Sequence, residues 1–291
     1  MSDHGGDLTR TPLAYPGVPV PGPRLVVGDC AHTVRPRPSR SLGSARSDGC
    51  ARCDLPPGAG PDSLDRLLGR LGATPLAERT PVLAVGSNAV ASVVRHKLTR
   101  RGIGVVVPLL TGVVRHLAVG HTAYVSRGGY VPAAPVHRSR ARTPVVLQLL
   151  DDHQLAAIDA TEPHYDRVEL TGTRYPLVLA GGLRPARYHV YEASGGVLSL
   201  PVHGRRLLPQ PEVLGALRDE GLPHTDHEDP SAIAERLAGS AAHRDDVREG
   251  LAARGLTRGS GLTSTPAGRL RWPETVRAVR APRRQQRRQR R

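Results

Sequence analysis

The chain has 291 residues, a formal net charge of +15, 38% apolar residues and no phenylalanine, enough for one sizeable domain with extensions or for two small ones. Eight arginines fall between Arg277 and Arg291 with no acid among them, so the remainder carries only +7 and much of the charge is a tail. No apolar run reaches the roughly 18 residues of a spanning helix, and the opening MSDHGGDLTR lacks the apolar core of a signal peptide, so the expectation is a cytoplasmic protein with no membrane partner.

Of the 41 basic residues only Lys97 is lysine. Together with abundant Ala, Gly and Pro this reads as the codon bias of a GC-rich genome, which weakens arginine richness as a functional signal. Six of the seven tyrosines lie between Tyr124 and Tyr191, where the main core is expected. Cys30, Cys50 and Cys53 fit free thiols in a reducing compartment. Cys50-Ala-Arg-Cys53 with Cys30 and His32 is the alternative, a zinc set, but a second closely spaced pair is missing. No metal or cofactor is expected.

Residues 1–62 are rich in Pro, Gly, Ser and Arg and predict an irregular extension, with the apolar piece from Leu25 to Val27 able to lay one strand on the main domain. A helix over 63–71 has Ser63 as cap, Leu64, Leu67, Leu68 and Leu71 on one face, and Gly72 as stop. From Pro81 the texture changes. Val82 to Val85 suits a buried strand, Gly86-Ser87-Asn88 breaks it, and Val90, Val93, Val94 and Leu98 then mark a helix with Asn88 as N-cap and Gly102 as terminator. A strand turning so sharply into a helix presents unpaired backbone N–H groups at the helix start, a site suited to a carboxylate or phosphate.

Short strands are expected at 103–109, 113–119, 123–126, 130–134 and 145–150, a compact α/β or β-barrel-like pattern. Asp151 with Gln154 three residues on predicts a capped helix over 151–159. That helix cannot pass Pro163, which leaves Glu162 extended just beyond its end. Further strands are expected at 167–170, 175–179 and 187–192. A C-terminal segment, 210–276, reads as short helices, with Pro211 in a first turn and further pieces at 231–237 and 247–251. Asp226 to Asp229 read as a solvated loop rather than a metal site. Residues 277–291 are expected to be a disordered tail, the only part suited to nucleic acid.

Four stretches, in order, carry a resemblance: AVGSNA (Ala84 to Ala89), RGGYVPAA (Arg127 to Ala134), TPVVLQLLDDHQL (Thr143 to Leu155) and AAIDATEPHYDRVEL (Ala156 to Leu170). Over roughly Val82 to Pro209 the chain resembles the gamma-glutamylcyclotransferase-like proteins. The resemblance implies an α+β fold, a small mixed or antiparallel β-barrel with packed helices occupying 63–209 once the preceding helix is included. It also implies cyclotransfer, in which a substrate's α-amine attacks its own γ-carbonyl and releases 5-oxoproline. Glu162 matches the catalytic glutamate, while Gly86, Ser87, Asn88 and Tyr165 match positions that hold a small ligand bearing a carboxylate. Val85 stands where the family has a tyrosine, which removes a hydroxyl, and Pro163 stands where a glycine is usual. The alternative is therefore a ligand-binding protein of the same fold without catalysis.

Overall fold

The apolar run that opens the central region folds as a strand buried along its whole length, and the sheet is assembled around it. The computed structural model describes residues 8, 10–35, 44–45, 62–272 and 276–277. In chain order the strands are β1 (Arg24–Val27), β2 (Cys30–Arg35), β3 (Ser44–Ala45), β4 (Asp62–Ser63), β5 (Thr80–Ala84), β6 (Val106–His121), β7 (Ala133–Leu150), β8 (Tyr165–Thr171), β9 (Leu177–Leu179), β10 (Arg184–Pro185), β11 (Arg187–Ala193), β12 (Val197–Leu198), β13 (Thr257–Arg258), β14 (Thr265–Pro266) and β15 (Val276–Arg277). The helices are α1 (Leu64–Arg70), α2 (Ala91–Thr99), α3 (Asp152–Asp159), α4 (Gln210–Asp219), α5 (Pro230–Gly239) and α6 (Ala241–Ala253).

The main sheet runs β14-β8-β11-β5-β7-β6-β1-β2-β3-β4, with β9 added beside β6. Strand β5 pairs parallel with β11 and antiparallel with β7, so the sheet is mixed. Its terminal strands do not meet, which confirms the α+β class but corrects the expected small barrel to an open sheet. The N-terminal extension contributes more than one strand. Hairpin β1–β2 lies against β6 and buries Leu25 completely. Cys30 in β2 is disulfide-bonded, which corrects the free-thiol expectation and removes its argument for a reducing compartment. The other two cysteines, and the tail beyond Arg277, lie outside the described residues. Among those residues no helix is long and apolar enough to cross a membrane.

Of the five short strands expected between 103 and 150, four are taken up in whole or in part by two long ones, β6 and β7. Gly112 falls between two of the expected strands, 103–109 and 113–119, but a Cβ there would sit 2.6 Å from the Val178 carbonyl oxygen. Glycine is required by the close approach of β9, and the strand runs straight through it. The charged run 138–140 continues β7 in solvent, with a register shift between Arg115 and Leu117 opposite it. No strand forms over 123–126, and 130–132 is loop, held by Ser126 N–H donating to the Tyr130 carbonyl (2.8 Å).

Local signals fared better. Helix α1 buries Leu64, Leu67 and Leu68 in the main core. Helix α3 carries the expected capping box, Asp151 accepting from the Gln154 backbone and Gln154 returning the bond. Helices α4, α5 and α6 pack around their own cluster of Val213, Leu217, Ile233 and Leu251, which also covers Val125 and Val131. Asp229 caps α5 and Asp226 pairs with Arg236, so that acidic stretch is used structurally.

Two buried polar residues hold the sheet to α3. Arg79 is fully buried. Its Nε donates to the Thr74 carbonyl (2.8 Å), and Nη1 donates to the carbonyls of Val106 and Leu149 and to Gln154 Oε1 (3.1, 3.0 and 3.1 Å). His189 on β11 is also fully buried; its Nδ1 accepts from Arg167 Nη1 (2.9 Å), while Arg167 pairs with Asp159 at the end of α3. Burial, and then the Arg167 charge, push its pKa down to about 4.

Arg79→Met strands several buried carbonyls and is expected to cost at least about 3 kcal/mol, read from the denaturant midpoint. For His189, the unfolded chain takes a proton below about pH 6.5 that the folded protein refuses until about pH 4. Stability is therefore complete above the first value and lost as pH falls between the two. His189→Asn should flatten that part of the melting profile; an unchanged slope would assign it to other groups.

Candidate functional site

Strand β5 ends at Ala84, and the next five residues build the loop. Val85 turns into the core, and Ser87–Ala89 form a 3₁₀ turn closed by Ala89 N–H on Gly86 O and Val90 N–H on Ser87 O (2.9 and 3.0 Å). Helix α2 begins only after it, with Val90 as N-cap and no side-chain cap. The expectation that Asn88 caps this helix is thus corrected, because the added turn moves the helix start beyond its reach. The Asn88 side chain points the other way: its Nδ2 donates to Glu162 Oε1 (3.0 Å) and its Oδ1 accepts from Lys97 Nζ (2.7 Å). The Asn88 carbonyl accepts from Gln148 Nε2 (2.7 Å), which pins the loop to β7.

Glu162 arrives from the opposite side. Helix α3 stops at Asp159; the Glu162 N–H still bonds the Asp159 carbonyl (3.0 Å), but Pro163 ends the helical path. Tyr165 N–H then donates to Glu162 O (3.0 Å), closing a turn with proline at its second position. Oε1 of Glu162 accepts from Asn88 and from Lys97 Nζ (2.6 Å), while Thr161 Oγ1, 3.2 Å away, donates its one proton to the Ile158 carbonyl at 2.7 Å. No hydrogen bond among the described residues engages Oε2. The Glu162 and Lys97 side chains are only 12% and 18% exposed. Arg167, five residues beyond Glu162, is taken by Asp159.

Ser87, Glu162 and Tyr165 line a cavity of about 670 Å³, and with Gly86 and Asn88 they also line a smaller one of about 40 Å³. All five residues singled out from sequence therefore meet. Tyr165 is half-buried and its hydroxyl donates to the Ala133 carbonyl (2.8 Å), so it serves the wall as well as the cavity. The larger cavity sets Lys97, Arg100, Arg101 and Arg127 around Glu162, its only carboxylate among the described residues. Such a surface favours an anion. Burial pushes the pKa values of Tyr15, Tyr124 and Tyr165 upward, so these hydroxyls keep their protons.

Three contributors are missing from the sequence reading. Lys97 left a signal, as the single lysine in a chain that otherwise uses arginine. Tyr15, from the N-terminal extension, left none. Gln210 at the start of α4 is fully buried and clamps the cavity loop by accepting from Val131 N–H and donating to Val131 O (2.8 and 2.9 Å). Gly129 in that loop has φ +79°, and a Cβ there would lie 2.0 Å from the Ala234 carbonyl oxygen, so the loop can rest on α5 only as glycine. No family model, curated protein or solved structure matches the chain, and nothing among them identifies the gamma-glutamylcyclotransferase-like family.

Lys97→Met leaves the Glu162 carboxylate half-buried with only neutral donors, and is expected to cost about 1–3 kcal/mol. In a double-mutant cycle with Glu162→Gln the loss should be strongly non-additive. Coupling below about 0.5 kcal/mol would mean that the pair is not an energetic unit.

Proposed function

We propose that the cavity binds a small, carboxylate-bearing amino-acid derivative and that the protein is a gamma-glutamyl cyclotransferase-type enzyme with Glu162 as its general acid/base. The observation that carries the reading is the state of Glu162: one oxygen held by the Asn88 amide and the Lys97 ammonium, the other unengaged among the described residues, in a cavity that also presents Arg100, Arg101 and Arg127. Glu162 takes a proton from the substrate's α-ammonium group. The freed amine attacks the γ-carbonyl carbon and the new C–N bond closes the five-membered ring; as the old amide C–N bond breaks, the ring nitrogen gives up a second proton, and the leaving nitrogen takes up both protons, one of them through Glu162, to depart as an ammonium ion. Products are 5-oxoproline and an amine. Gly86, Ser87 and Asn88 hold the substrate's carboxylate, and Tyr165 shapes the wall beside it.

Support for the gamma-glutamylcyclotransferase-like assignment comes from four stretches in the right chain order and from the meeting of loop and glutamate at one cavity. A second reading, a binding protein without catalysis, is favoured by the 2.6 Å pairing of Lys97 with Glu162 and by Val85 in place of a hydroxyl-bearing residue. The two separate on one experiment, incubation with a panel of γ-glutamyl amides. Wild type should release 5-oxoproline, and Glu162→Gln should lower the rate by at least about 10²-fold while its melting point moves little. Binding of the amides without product selects the second reading, and undiminished turnover in Glu162→Gln removes Glu162 from the chemistry.

A further inference from the structure

Tyr15 belongs to the segment that reads as irregular extension, yet it is 6% exposed and lines both cavities beside Glu162. Its position is fixed from two directions. Before it, a 3₁₀ turn at Pro12–Ala14 sets Leu13 against the cluster of the C-terminal helices. After it, Val20 N–H donates to the Ala89 carbonyl (3.1 Å), tying the segment to the site loop. The Tyr15 ring stacks on Tyr130 with centroids 4.4 Å apart.

The hydroxyl is half-used. It accepts from the Ala133 N–H (2.8 Å), while Tyr165 holds the carbonyl of the same residue. No acceptor among the described residues takes the Tyr15 hydroxyl proton, and burial keeps that proton in place. Buried donors are almost always paired, so one left over beside a cavity calls for an acceptor from outside. Gly86 leaves room for it. A Cβ there would lie 2.7 Å from Tyr15 Oη and 3.1 Å from Ala133 Cβ, and with φ at −128° it is space, not left-handed backbone, that requires glycine.

We propose that Tyr15 is a ligand-binding residue whose hydroxyl donates to an acceptor oxygen of the anion held at Gly86 and Ser87, which makes the N-terminal segment a working part of the site. This rests on the reading that the cavity binds an anion, and not on the cyclotransfer chemistry.

Calorimetric titration of the full chain with 5-oxoproline, L-glutamate, citrate and inorganic phosphate tests it. Whichever probe binds wild type should bind Tyr15→Phe about tenfold or more weakly, the worth of one hydrogen bond to a charged acceptor. Gly86→Ala, which crowds the hydroxyl, should imitate that loss and add little to it in the double variant. If Tyr15→Phe melts below the assay temperature, Gly86→Ala alone carries the comparison. A residue that merely braces Ala133 gives a lower melting point and unchanged affinity, which overturns the proposal, as does wild type that binds none of the four probes. Citrate or phosphate binding that depends on Tyr15, with no binding of 5-oxoproline or glutamate, upholds Tyr15 and overturns the cyclotransfer reading.

Discussion

The pairing of Glu162 with Lys97 and Asn88 draws three parts of the chain to one point: helix α2, the loop before it and the turn after α3. A carboxylate this little exposed must recover its lost hydration from protein donors, and a half-buried ammonium must do the same. Each meets the other's need, and Asn88 bridges them by donating to one and accepting from the other. The consequence for the site is asymmetry. Oε1 is engaged by Asn88 and Lys97, which orients Oε2 without occupying it. A carboxylate held in this way needs little reorganisation when a ligand arrives.

Such a contact is useful only if its parts arrive in register, and the scaffold is built of clamps that secure this. Arg79 bonds β6, β7 and the first turn of α3 together, so the end of that helix is set from its beginning. Gln148 pins the Asn88 carbonyl from the central strand β7. Gln210 grips both backbone groups of Val131, and Tyr15 and Tyr165 grip both backbone groups of Ala133. The regions outside the resemblance, before Val82 and after Pro209, thus each supply a part that the cavity wall cannot do without. The sheet is open, and these clamps perform the locking that closure would otherwise provide.

What sequence makes legible here is what local chemistry decides. The capping box of Asp151 and Gln154 and the leucine face of α1 act within a few residues, and both appear as expected. Glu162 was placed by Pro163, another neighbour. Errors arise where distant partners override local signals. Gly112 behaves as a strand residue because β9 approaches it, and Asn88 leaves its helix uncapped because the 3₁₀ turn moves the helix start beyond it while its side chain meets Glu162 and Lys97. Tyr15 stands among closely spaced prolines that give no strand or helix period, and its burial depends on Tyr130 and Ala133, more than 100 positions away. The barrel failed for a similar reason, since closure depends on which edges meet, a property no single stretch encodes.

The same ion pair that orients Glu162 also constrains the proposed chemistry. While Lys97 holds Oε1, proton acceptance in that chemistry falls to Oε2. Once Glu162 takes the substrate's proton, however, it is neutral and Lys97 loses its counter-charge inside the cavity. The charge that appears next is the oxyanion formed as the amine adds to the γ-carbonyl. An ammonium released from one partner as another negative charge develops acts most strongly in the transition state, where stabilisation raises the rate rather than only tightening binding. In the cyclotransfer reading the pairing would then be the source of the stabilisation that follows proton transfer. In the binding-protein reading the pair has no such later use, and Lys97 remains a structural partner of Glu162 throughout.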